Sequence, residues 1–127
     1  TAAKLLKLYY KNKDQCSPML QSKVVEAWAE SESYALSIYH TASKMLAGGS
    51  IGSESSLGKI FWSELDHMMH QTALKILGAS AELADSSEHD AAQWIKGFMF
   101  SYGGPIYAGT NEIQKNIIAE RLLGLPK

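Results

Sequence analysis

The 127-residue sequence predicts an all-α fold, an antiparallel four-helix bundle. Three observations carry this. Apolar residues recur at helical spacing from one end to the other, and no stretch alternates with period two long enough to build a sheet. Two long helical runs are joined by one short breaker, which makes an αα-hairpin.

The opening run, roughly residues 2 to 12, sets Leu5, Leu6, Tyr9 and Tyr10 at helical spacing and stops in the polar turn "KNKDQCSP". Ser17 and Pro18 then read as N-cap and first residue of the next helix. That helix carries Val24, Trp28, Ser31, Ala35, Ile38, Ala42 and Met45, a narrow apolar seam that needs an antiparallel partner. "AGGSIGSES" breaks it, and Ser53 reads as the next cap. A third helix from about Glu54 to Leu77 places Leu57, Phe61, Leu65, Met68, Thr72 and Ile76 on one side, with Gly78 at the C-cap. After the polar linker "GASAELADSSEHD", the run "AAQWIKGFMFSY" forms a shorter helix with Trp94, Ile95, Phe98 and Met99 apolar, ended by Gly103, Gly104 and Pro105. The last helix starts at Thr110, pairs Ile113 with Ile117 and Ile118 with Leu122, and stops at Gly124 and Pro126.

Composition narrows the function classes. With 46% apolar and 20% charged residues, the chain can bury the core of one domain, residues 1–127. A net charge of -1 with interspersed signs gives no field for nucleic acid or an anionic membrane. The single Cys16 excludes an internal disulfide, and no signal peptide or long apolar run is present, so the expected compartment is cytosolic or organellar, with cytoplasm as the default. Opening on "TAAKLLKLYY" without Met, the chain reads as a piece cut from a longer protein.

The internal chemistry has bland readings. "SELDHMMH" sets Glu64 and His67 at i and i+3, the carboxylate–imidazole spacing of di-iron bundles, but no second Glu-x-x-His exists. Glu64, His67 and His70 therefore read as residues flanking the seam or facing solvent, and no metal is expected. Met68 and Met69 read as core filler, and Trp28, Trp62 and Trp94 as packing anchors. Cys16 has no nearby His in sequence to activate it.

The tail "IYAGTNEIQKNIIAERLLGLP" is different. Gly109 frees the backbone, Thr110 is a good N-cap, and the amides of Asn111 and Glu112 point out of the helix start. This string resembles, over nearly its whole length, the C-terminal motif of the acyl-CoA dehydrogenase family. The preceding helix order, with "LKILGAS" ending the hairpin and a short Trp-bearing helix after it, is similar to that family's C-terminal α-domain across essentially the whole chain.

The resemblance implies an FAD-dependent enzyme that oxidises the α,β-bond of an acyl-CoA thioester, a carboxylate removing the α-proton while hydride leaves the β-carbon for the flavin. It implies that Thr110, Asn111 and Glu112 contact FAD and that Gly109 lies beside the thioester. Lys75, Ile76, Leu77, Gly78 and Ala79 match a flavin-contacting turn supplied by a neighbouring subunit, although the family's Gln-x-x-Gly-Gly stands here as "KILGA". No Arg-x-x-Phe-Gly segment is found. Ala108 occupies the slot where many members place the catalytic Glu. The carboxylate then comes from an upstream helix or a partner subunit, or activity has been lost. The "AERLLGLP" ending looks most like members from bacterial lipid and steroid breakdown. A homo- or hetero-oligomer is implied, and a non-catalytic helical partner subunit is the competing reading.

Overall fold

The computed structural model describes residues 1–82 and 89–126. Among them are five α-helices and no strand: α1 (Ala2–Lys11), α2 (Pro18–Leu46), α3 (Ser55–Leu77), α4 (His89–Ser101) and α5 (Asn111–Ile117). Single turns of 3₁₀ helix follow α1 (Lys13–Gln15) and α3 (Gly78–Glu82), and a π turn, Ile118–Leu122, extends α5. None of the described helices is long and apolar enough to cross a membrane.

Local chemistry sets the boundaries. Ser17 Oγ accepts the Leu20 N–H at 3.3 Å and Pro18 opens α2, as expected. Gly78, at φ 54°, closes α3 in a conformation that a side chain disfavours. Ser53 is not the cap of α3. Glu54 precedes the first helical residue with no capping side chain, because its carboxylate is bound to Lys44 at the end of α2. That hydrogen bond holds Glu54 below the ordinary glutamate range. The polar linker partly lies outside the described residues, and α4 starts at His89, two residues before the expected Ala91.

α3 is the hub. Ser31 meets Met69, Tyr34 stacks on Phe61, and Lys44 meets Glu54, so α2 runs antiparallel to α3. His70 lies against Trp94, His67 against Phe98, and Ser63 beside Gly104, so α4 is antiparallel to α3 as well. The core gathers Leu5, Leu8 and Tyr9 from α1, Val24 and Ala27 from α2, Leu65, Met69, Ala73 and Ile76 from α3, and Trp94 from α4. Met69 is core and Met68 packs against it, as expected of filler.

This core covers only one end of the hairpin. The α2 seam was expected to be buried along its length, yet Trp28 is 42%, Ile38 48% and Met45 51% exposed. Leu57 and Phe61 on α3 are open too. α1 and α4 flank the N-terminal half of α2 and the C-terminal half of α3; beyond them α2 has only α3 beside it, while the first half of α3 also carries the C-terminal turn and α5. Tyr10 and Met99 are likewise exposed, while Leu8, which completes the i, i+3, i+4 stripe with Leu5 and Tyr9, is in the core.

Candidate functional site

The C-terminal motif folds as a turn fixed to the first half of α3. Lys59 and Ser63 are one helical turn apart on the same face. Ser63 is fully buried, and Gly104 passes so close that an added Cβ would sit 3.2 Å from Ser63 Cβ. From there the chain curls: the N–H groups of Ile106 and Tyr107 donate to Gly103 O at 2.9 and 3.0 Å, and that of Asn111 donates back to Pro105 O at 2.9 Å. Tyr107 rests near Trp62, ring centroids 6.0 Å apart.

Ala108 has φ 55°, the one positive-φ residue other than glycine among the described residues, and Gly109 follows at 88°. For an L-residue this left-handed state costs about 1–2 kcal/mol. Gln114 Nε2 holds it by donating to Ala108 O at 3.0 Å, and a Cβ at Gly109 would stand 2.6 Å from that nitrogen. Ala108 and Gly109 are exposed and Thr110 is partly buried, and their N–H groups make none of the turn's close backbone hydrogen bonds among the described residues. Thr110 caps α5 as expected, its Oγ1 accepting the Ile113 N–H at 3.3 Å. The exposed Glu112 carboxyl is held below its ordinary range by its own backbone N–H first, then by the Thr110 hydroxyl, with Lys115 and Lys59 adding attraction.

Asn111 faces inward. It is 5% exposed, its Nδ2 donates to Ser63 Oγ at 3.1 Å, and its Oδ1 accepts from Lys59 Nζ at 2.7 Å. Its carboxamide and its N–H are thus both engaged within the chain. Lys59, Ser63 and Gln114 were not singled out from sequence. Gln114 stands within the quoted motif, whereas Lys59 and Ser63 meet a partner 52 and 48 residues away and carry no local signal.

The second expected segment lies elsewhere. Ile76 is a core residue and Leu77 packs on the core, leaving Lys75, Gly78 and Ala79 exposed. Lys75 and Gly78 border a shallow cleft of about 540 Å³ with Gln71, Leu74, Glu82 and Ile95. Between Lys59 and Lys75 the helix rises about 24 Å. The fold therefore brings Ala108–Glu112 together and holds Lys75–Ala79 far from them.

The two histidines of "SELDHMMH" have structural partners. His67 Nδ1 is 2.9 Å from Ser101 Oγ, whose hydroxyl donates to Phe98 O at 2.6 Å, so the imidazole is the donor in this pair. His70 Nδ1 meets Asp66 O at 2.8 Å. Glu64 is exposed, and no group of three or more His, Cys, Asp or Glu side chains placed to hold a metal occurs among the described residues. Of the tryptophans, Trp94 is buried and Trp62 partly so, but Trp28 is 42% exposed and anchors little. Burial raises the pKa of the Cys16 thiol, which suits a packing residue rather than a nucleophile.

A family model described as "Acyl-CoA dehydrogenase, C-terminal domain" matches residues 14–123. Among curated proteins, the chain is 29% identical over 113 residues to "Acyl-CoA dehydrogenase IpdE1" of Mycolicibacterium smegmatis, covering 87% of this chain and 26% of that protein. It is equally 29% identical over 113 residues to the protein of the same name from Mycobacterium tuberculosis, covering 87% and 28%. The chain thus spans about a quarter of the length of these relatives. No solved structure gives a significant match. With an all-α fold, a capped Thr110 turn and a family match over most of its length, the chain belongs to the acyl-CoA dehydrogenase family, as its C-terminal domain.

Proposed function

We propose that this chain is the C-terminal helical domain of a longer FAD-dependent acyl-CoA dehydrogenase that oxidises the α,β-bond of acyl-CoA thioesters. The observation that carries the reading is the turn at Ala108 and Gly109: two successive left-handed residues at an exposed edge, whose N–H groups make none of the turn's close backbone hydrogen bonds among the described residues. Such an edge fits the polar rim of a flavin and a thioester carbonyl, and the absence of a Cβ at Gly109 keeps it accessible.

Bound FAD would supply the hydride acceptor. The protein's residues do the rest. Thr110 and Glu112 present polar groups to the flavin rim, and Asn111 between them anchors the turn through its carboxamide and its N–H. The N–H groups of Ala108 and Gly109 suit the thioester oxygen, where negative charge develops as the α-proton leaves. Ala108 has no proton-accepting atom, so the base is a carboxylate outside this chain. The separation of about 24 Å along α3 supports assigning Lys75, Gly78 and Ala79, with the backbone of Ile76 and Leu77, to a different subunit's flavin. The exposed hairpin arms support a homo- or hetero-oligomer, and the neutral composition supports neither a nucleic-acid nor a membrane partner.

The test is spectroscopic. The full-length protein should purify yellow, and anaerobic addition of an acyl-CoA should bleach its flavin band. The methyl group at Ala108 favours one second reading, a non-catalytic partner subunit of a hetero-oligomeric dehydrogenase. A protein that is colourless unless co-produced with another dehydrogenase subunit would establish it.

A further inference from the structure

We infer that Lys59 is a positioning residue for the thioester-facing turn, acting through Asn111. The inference deepens the proposed function and rests on it only for what the turn faces.

Asn111 ties the turn to α3 by side-chain hydrogen bonds and closes it by backbone, through its N–H to Pro105 O. Its carboxamide is buried, so its orientation is decided by the partners available. Ser63 Oγ has one hydrogen, for which Ile60 O at 2.9 Å is a nearer acceptor than Asn111 Oδ1 at 3.3 Å, and the oxygen is left to accept from Asn111 Nδ2 at 3.1 Å. That leaves Oδ1 to the Lys59 ammonium at 2.7 Å. With the amide reversed, Nδ2 and Nζ would face each other as two donors. Lys59 therefore selects the orientation in which Nδ2 reaches Ser63. The same ammonium helps keep the neighbouring Glu112 ionised. With Asn111 fixed, the backbone bond to Pro105 sets where the turn closes, and the Ala108–Gly109 pair within it is aimed from its base rather than by its own exposed contacts.

The experiment compares Lys59→Met, which keeps the aliphatic stem and loses the donor, with Lys59→Arg, which keeps a charged donor. Hydrogen exchange is read by mass spectrometry in the full-length protein. The hydrogen-bonded amides of Ile106, Tyr107, Asn111, Ile113 and Gln114 should exchange at least tenfold faster in Lys59→Met, those of residues 64–77 should keep wild-type protection, and Lys59→Arg should restore most of the loss. In flavin-loaded protein, Lys59→Met should slow flavin reduction at saturating acyl-CoA. Should Lys59→Met fail to fold, Lys59→Gln, whose donor is one bond shorter, reads the same exchange. Unchanged exchange at those five amides, or equal loss of protection in both regions, would overturn the inference. The exchange pattern appearing in a protein that carries no flavin would uphold Lys59 as the positioning residue and sink the flavin reading alone.

Discussion

Ser63 on α3 and Asn111 at the start of α5 share a hydrogen bond of 3.1 Å across 48 residues of sequence, and both are buried. It links the hub of the bundle to the family's signature turn. Ser63→Ala should leave the Asn111 Nδ2 without an acceptor in a dry environment, which costs about 1–3 kcal/mol. Denaturant unfolding of the variant beside wild type measures it. A change below a few tenths would mean that the amide finds water.

Thr110→Ala should cost about 0.5–2 kcal/mol through loss of the cap to Ile113. In the full-length protein it should also lower the flavin content after gel filtration. A lower melting temperature with full flavin occupancy would reduce Thr110 to a structural cap.

Gly109→Ala and Ala108→Gly should move in opposite directions. At φ 88°, a Cβ on residue 109 adds about 1–2 kcal/mol of backbone cost and displaces Gln114 from its bond to Ala108 O. Removing the Cβ at residue 108, where φ is 55°, relieves a cost of the same order, partly offset by the greater freedom of glycine in the unfolded chain. Thermal melts of both variants should bracket wild type, and destabilisation by Ala108→Gly would refute the strain at that position.

At Gly97 an added Cβ would overlap His70 Nε2, because α4 crosses α3 closely there. Gly97→Ala should therefore destabilise by about 1–3 kcal/mol from overpacking. His70→Ala combined with it should recover part of the loss, a coupling that a double-mutant cycle reads. Additive effects would show that α4 shifts rather than clashes.

Acid should weaken the fold in part through Glu54 and Glu112, whose carboxyls are both held below the ordinary glutamate range. In that range the unfolded chain binds more protons than the folded one, so stability rises with pH there and is lost as pH falls through the folded values. Replacing either residue by Gln should flatten the acid limb of a stability-versus-pH curve and leave the neutral region nearly unchanged. An unaltered acid limb in both variants would count against these carboxylates.

Much of the fold was legible in the sequence because helix punctuation is local. Ser17–Pro18, Gly78 and Thr110 act through neighbours within one turn, and all three sit where the residue types indicate. Burial was less legible. Ile38 and Met45 have the spacing of a seam, yet whether a seam is covered depends on how far α1 and α4 reach, which periodicity along α2 does not encode. The turn was recognisable from its motif, but its anchors, Lys59 and Ser63, are ordinary residues on a helix until Asn111 is folded against them.

The central claim is that the turn belongs to a flavin-dependent dehydrogenase whose base lies outside this chain, and the rate of flavin reduction by acyl-CoA tests it most directly. Measured anaerobically in the full-length protein, wild type should bleach, and Ala108→Glu should bleach no more than about tenfold faster, since a second carboxylate beside an existing base raises at least one pKa without adding a missing function. A wild type that keeps its flavin oxidised while Ala108→Glu gains a hundredfold or more, the scale of a newly supplied general base at about 10²–10⁴, would contradict it.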